Sequence, residues 1–379
     1  MKPQRLASLD AFRGFTIAAM LLVNNPGDWG HLYSQLAHAK WNGWTFTDWI
    51  FPFFLFICGV SMALSVHRLL LAGSSRRTLL QKLIWRAGIV FLIGLGLNLY
   101  PHFDLGSVRI PGVLQRIALC TAMAAPVVLY FPWRQQCGWI IALLGLYSVL
   151  MLLVPVPDAP MGGVLEPGRD FGAFVDRSLL DGHLWSASKT WDPEGLVSTL
   201  PALCSLLFGV QTGRWLESDQ AKAHTTVWML LAGLASLWLG SILDATLMPI
   251  NKSLWTVSYC IFMTGWALIV FSVFYWLLDA NESPALTRRM TRLLQPCVIF
   301  GLNSLFIFAF SGLIAKTLGA IKIPQADGTA LSLKALLYAP LQALPITAVN
   351  ASLLFATLFL LALFGVAWFM WHRRWFVKV

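Results

Sequence analysis

Apolar and polar positions in this chain alternate in blocks of about twenty residues, not with the period of a strand or of a half-buried helix. Ten apolar runs stand out, at 15–25 (extended back toward Leu9), 49–66, 83–99, 113–131, 138–154, 196–213, 226–243, 255–278, 298–314 and 343–371. Most have the length that carries a helix across the hydrocarbon core, whereas barrel strands would be about ten residues long and alternating. The pattern predicts an all-α, polytopic membrane helix bundle of about ten transmembrane helices, forming a single domain over residues 1–379. The first run is short and stops at Asn24-Asn25-Pro26, and the last is long enough to tilt or to include an interfacial turn. No small-residue cleavage site follows the first run, so it is expected to be an uncleaved helix, not a signal peptide.

Composition agrees with a membrane protein, at 58% hydrophobic and 12% charged residues with a mean hydropathy of +0.69. The net charge of +10 is distributed by side. With the N-terminus inside, 17 of the 27 basic residues fall on the inner face, among them Lys2, Arg5, Arg76, Arg77, Arg86, Arg288, Arg289 and Lys378. Both termini are therefore expected to be cytoplasmic, which an even number of spans also requires. The positive charge then follows from topology, and no nucleic-acid partner is expected. Six cysteines are scattered through the runs without a C-x-x-C pair, so neither a disulfide framework nor a metal site is expected.

Polar residues at the mouths of the runs change the picture from scaffold to site. The stretch from Leu36 to Ser65 begins with His38, Lys40, Asn42 and Asp48, then carries no charge from Trp49 to Val66. Ionisable groups at the edge of a span are costly and mark function by default. Asn24, Asn25, Asn98, Arg109, Gln115, Arg116, Asp192, Glu194, Asp244, Asn251, Lys252 and Asn303 sit at the same predicted outer edge. Their convergence predicts one polar chamber in the outer half of the bundle. There His38 can act as a base near neutral pH, and Asn24 or Asn25 can fix a substrate or donate to an oxyanion.

Arg109 and Arg116 flank a helix start at Pro111, where they either bind an anion or pair with Asp48, Asp104 or Asp192. The long outer loop from Pro155 to Glu194 is a candidate lid, and Asp192 is expected to cap the following helix, a role compatible with ligand binding. On the inner side Arg76, Arg77, Lys82 and Arg86, with Arg288, Arg289 and Arg292, are placed to bind either the phosphates of an anionic cofactor or anionic lipid.

The strings SLDAFRGFTIAAMLLVNN, HAKWNGWTFTDWIFPFFLFICGVSMALS, VRIPGVLQRIAL, WDPEGLVSTLPALCSLLFGVQTG and PINKSLWTVSY together resemble the heparan-α-glucosaminide N-acetyltransferase family. The chain looks like the bacterial branch of that family, associated with N-acetylglucosamine utilisation, and on that resemblance is expected to lack the large lumenal N-terminal extension of the animal enzymes. The resemblance implies transfer of an acetyl group from cytosolic acetyl-CoA to an amino sugar of glucosamine type on the far side of a bacterial inner membrane. It implies His38 as the catalytic residue, either as general base or as acetyl carrier, assisted by Asn24 or Asn25. Substrate contacts are then expected from Trp41, Asn42, Asp48, Arg109, Gln115, Arg116, Asp192, Glu194, Asn251 and Lys252, with Trp41, Trp44 and Trp191 available to stack on a sugar face. CoA contacts are expected from Arg76, Arg77, Arg86, Arg288 and Arg289. A homodimer is compatible with the resemblance. The competing reading is an inner-membrane transporter of amino sugars or muropeptide fragments.

Overall fold

A computed structural model describes residues 6–325 and 329–377; Lys2, Arg5 and Lys378 lie outside the described residues. All ten apolar runs fall on helices. They are α1 (Ala7–Asn24), α2 (Ile50–Leu71), α3 (Arg76–Leu99), α4 (Val113–Tyr130) and α5 (Trp133–Leu153), followed after a short loop helix α6 (Phe171–Leu180) by α7 (Thr199–Leu216). Then come α8 (Lys222–Thr246) and α9 (Val257–Tyr275), which runs on into a π turn over Trp276–Ala280. A basic amphipathic helix α10 (Pro284–Leu293) leads to α11 (Gln295–Leu302) and α12 (Ser304–Ala320). A small antiparallel hairpin, Lys322–Pro324 with Ala330–Ser332, precedes α13 (Leu333–Gln342) and α14 (Ala348–His372).

Among the described residues seven helices are long and apolar enough to cross a membrane, and eight if α11 and α12 count as one span. Helices α1 and α7, at 18 residues each, are about 27 Å long and largely buried by their neighbours. The ninth run is not one straight helix, because α11 and α12 meet at an angle of 80°. Asn303 occupies the break. Its Nδ2 donates to the carbonyl of Trp375 at 3.0 Å, and its Oδ1 accepts from Val377 N at 2.9 Å. Asn303 therefore belongs to the end of the bundle that holds the C-terminal segment, not to the chamber where the sequence placed it.

Close backbone approach sets the centre of the bundle. A Cβ on Gly59 of α2 would lie 1.9 Å from the carbonyl oxygen of Leu206, and one on Gly209 of α7 would lie 2.0 Å from that of Phe56. Only hydrogen fits between these helices, as is common where membrane helices pack through small residues. Buried Phe54, Leu55, Leu203, Leu206, Leu207 and Val210 fill the seam around them. This rigid α2–α7 pair carries the two segments, residues 38–49 and 192–198, that form the polar end of the molecule.

Candidate active site

The segment before α2 is organised by one carboxylate. Asp48, 1% exposed, lies in the single 3-10 turn Phe46–Trp49 that opens the helix. Its Oδ2 accepts from Ala39 N at 3.1 Å, Thr45 N at 3.0 Å and Thr45 Oγ1 at 3.1 Å, and the bond from Thr45 N is one half of a capping box in which the Thr45 side chain in turn accepts from Asp48 N. Its Oδ1 receives His38 Nδ1 at 2.6 Å, and its main-chain oxygen receives Tyr259 Oη at 2.6 Å from α9. A carboxylate offers no proton, so Nδ1 of His38 carries the hydrogen, and in the neutral ring Nε2 holds the lone pair. The ring is 46% exposed, with Nε2 3.4 Å from Lys252 Nζ.

Lys252 reaches this point because its loop, between α8 and α9, is stapled to the His38 loop. Gly43 N donates to the Ile250 carbonyl at 2.7 Å, and the amide of fully buried Asn251 donates to Asn42 Oδ1 at 3.1 Å. Asn251 Oδ1 also accepts from Leu254 N at 2.9 Å. The backbone then turns at Trp255, whose φ of 53° is left-handed and whose indole donates to Ser205 at 3.1 Å. Asp48 and Lys252 thus meet at one imidazole, and the bond between Asn42 and Asn251 ties together the loops that carry them.

Beside it lies a second charged group. Arg109 donates through Nε to Asp192 Oδ2 at 2.8 Å and through Nη2 to Asp192 Oδ1 at 2.5 Å and Glu194 Oε2 at 2.6 Å. Burial alone would favour neutral Arg109, but the bonds and charges of Asp192 and Glu194 outweigh it and raise its pKa above the ordinary arginine value. Burial likewise pushes Glu194 up, while Arg109 and then Lys252 and Arg116 pull it below the usual carboxylate range. Asp192 does not cap the next helix, since α7 begins seven residues later at Thr199 with Ser198 at its N-cap position. Its carboxylate is used by Arg109 and by Glu194 N, at 2.9 Å. Arg116, fully buried, donates to the Gly195 carbonyl at 2.9 Å and to Ser198 Oγ, with its guanidinium 5.3 Å from the centre of the Trp255 ring. Arg109 therefore takes the ion-pairing alternative, whereas Arg116 is held by neutral oxygens, with its Nε and Nη1 buried and without a hydrogen-bond partner among the described residues.

Among the described residues no hydrogen bond joins the other expected residues to His38. Asn25 donates its amide to the Leu21 carbonyl at 2.8 Å, ending α1, and Asn24 is exposed at the same helix end. Gln115 faces α3, where its Oε1 fills the space that a Cβ on Gly94 or Gly112 would need. Trp41 and Trp191 meet edge to face at 5.2 Å, with Trp185 beyond at 6.0 Å, and Trp41 Nε1 donates to the Leu165 carbonyl in the long loop at 2.8 Å. Trp44 packs elsewhere, on Trp49 and Phe262.

The opposite end of the bundle holds a cavity of about 930 Å³ between α2, α7, α8 and α9. His67, Gln211, Arg214, Trp215 and Glu217 line it, and none of Arg76, Arg77, Arg86, Arg288 and Arg289 does. Those five arginines are exposed at the same end, on α3 and α10. Burial raises the Glu217 carboxyl to about 7, although Arg214 opposes the shift. Sequence reading passed over this group because Gln211 and Arg214 sit in the last turns of an apolar run, where one polar residue per turn looks like a helix end. Ala63 in the cavity wall is separated from Asp48 by about 22 Å of helix rise.

A family profile described as heparan-alpha-glucosaminide N-acetyltransferase, catalytic, matches residues 5–240, which include His38, Asp48, Arg109, Asp192 and Glu194. The chain is 33% identical to heparan-alpha-glucosaminide N-acetyltransferase of Homo sapiens over 74% of its length and 32% identical to that of Mus musculus over 73%. It spans about half the length of these curated relatives, 50% of each. A profile match over more than half of the chain, with identity at this level, shows that the chain belongs to the family of heparan-alpha-glucosaminide N-acetyltransferase catalytic domains.

Proposed function

We propose that this protein transfers an acetyl group from acetyl-CoA to the amine of a glucosamine-type sugar, with His38 as the general base. The observation that carries the reading is the 2.6 Å bond from His38 Nδ1 to buried Asp48, which turns Nε2, the nitrogen that bears the lone pair in the neutral ring, to a partly exposed position in a chain of N-acetyltransferase kin. A neutral imidazole so oriented removes a proton from an attacking amine, a contribution of about 10²–10⁴-fold. Asn24, whose amide is exposed at the end of α1, is the asparagine free to assist, since Asn25 bonds within its own helix. Asn42 and the Trp41–Trp191 pair flank the place where a sugar would lie.

Acetyl-CoA enters from the other end, which the excess of positive charge assigns to the cytoplasm. The cavity lined by Arg214, Gln211 and Trp215 takes its polar portion, and the exposed arginines of α3 and α10 attract its phosphates. Only the uncharged arm then occupies the apolar depth. The acceptor reacts at the outer face of a bacterial inner membrane. The test is purified protein in detergent with labelled acetyl-CoA and glucosamine, comparing wild type with His38→Ala. Labelled sugar from wild type and a loss of about 10²–10⁴-fold in the variant is the expected result. Absence of both CoA binding and product would overturn the reading and turn attention to sugar uptake.

A further inference from the structure

The imidazole nitrogen that must act as base touches one other charged group, the ammonium of Lys252, at 3.4 Å. That contact is long for a hydrogen bond, so an incoming amine displaces it at little cost. Lys252 also lies within the field of Glu194, which is itself held by Arg109 at 2.6 Å. Its loop is fixed to the His38 loop through Gly43 and Asn251. The ammonium thus stands beside Nε2 at a half-buried position, within reach of the place where the reacting carbonyl would lie.

We propose that Lys252 is a catalytic residue of the transfer, stabilising the oxyanion that forms next to His38. The inference rests on the acetyl-transfer reading above. In the step, the amine lone pair forms the C–N bond to the thioester carbon and the C=O π pair moves onto oxygen. The amine proton passes to His38 Nε2. Lys252, displaced from Nε2 by the amine, turns its N–H toward the new oxyanion and keeps its proton throughout. The oxygen pair then re-forms C=O, the C–S bond breaks, and the CoA thiolate takes the proton from Nε2.

The experiment measures initial rates of full-length protein with labelled acetyl-CoA, using glucosamine as acceptor and, separately, water, since release of labelled acetate passes through the same oxyanion. Lys252→Ala and Lys252→Gln are expected to lower kcat by about 10²–10³-fold, with KM for both substrates changed less than about threefold. Lys252→Gln keeps a polar contact to His38, so its loss reports the charge. Lys252→Arg, which retains that charge, is expected to stay within about tenfold of wild type. Groups that act in one step are non-additive, so His38→Ala/Lys252→Ala is expected to be little slower than His38→Ala alone. Melting temperatures near wild type exclude misfolding. A Lys252→Ala kcat within threefold of wild type, or a loss confined to sugar KM, would overturn the proposal while leaving acetyl transfer intact. Wild-type protein that yields neither acetylated sugar nor acetate would instead sink the transfer reading itself, and this inference with it.

Discussion

The two ends of the bundle both concentrate charge, but they treat it in opposite ways. At the His38 end the central charges are paired: Asp48 has its lone pairs filled by the backbone, Thr45 and His38, and Arg109 grips two carboxylates. At the other end Arg76, Arg77, Arg288 and Arg289 project from helix surfaces, and a cavity of about 930 Å³ opens between helices. Low dielectric makes an unpaired charge costly in the first place, while water screens it in the second. A paired, immobile end suits bond making, because donors fixed in advance need not reorganise as charge develops. The loose end suits capture of a large anionic substrate by long-range attraction.

The largest expected effect that would break this contrast is at Asp48. Asp48→Asn removes the acceptor that orients His38 and sets its tautomer, and acetyl transfer in the labelled assay is expected to fall about 10³-fold while the protein still folds. Activity within tenfold of wild type would show that the pairing does not serve His38. Next comes Arg109→Ala, which strands Asp192 and Glu194 in a buried site and is expected to destabilise by about 3–5 kcal/mol, read as an earlier denaturation midpoint. A change below about 1 kcal/mol would place these charges in water, against the present description.

At the open end the effects are smaller and fall on binding. Arg214→Ala is expected to raise KM for acetyl-CoA about tenfold with little change in kcat, whereas Arg288→Ala/Arg289→Ala changes KM by less than about threefold and only at low salt. The reverse order would move the CoA site from the cavity to the surface of α10. The smallest prediction concerns Asp176 of α6, whose carboxyl burial raises to about 6 despite a bond from Leu196 N at 2.9 Å. A raised carboxyl pKa means that the folded state holds its proton longer, so this group's contribution to stability declines as pH rises from about 4 to about 6. Asp176→Asn removes that decline. The variant is expected to melt about 3 °C above wild type at pH 7 and level with it below pH 4. An offset that does not vary with pH would remove Asp176 as its source.

Much of the architecture was legible because a membrane helix advertises itself by length and apolarity alone. Runs such as 49–66 and 226–243 needed no knowledge of neighbours. The break at Asn303 was not legible, since the same apolar residues serve a straight or a bent helix, and the partners of Asn303 lie more than 70 residues away at Trp375 and Val377. His38 and Asp48 could be read together because they fall in one loop ten residues apart. The cavity group could not, because Arg214 and His67 become neighbours only when α2 and α7 meet through Gly59 and Gly209.

The division has a physical cause. Residue type and run length decide whether a segment prefers bilayer to water, and that preference is local, so the sequence by itself determined an all-α membrane bundle with a histidine at the mouth of one helix. Whether a charge is paired or free depends on atoms brought within about 3 Å by packing. Only the tertiary structure decided that Arg109 is bound to Asp192 and Glu194, that Asn25 is spent on its own helix, and that Lys252 stands against the free nitrogen of His38.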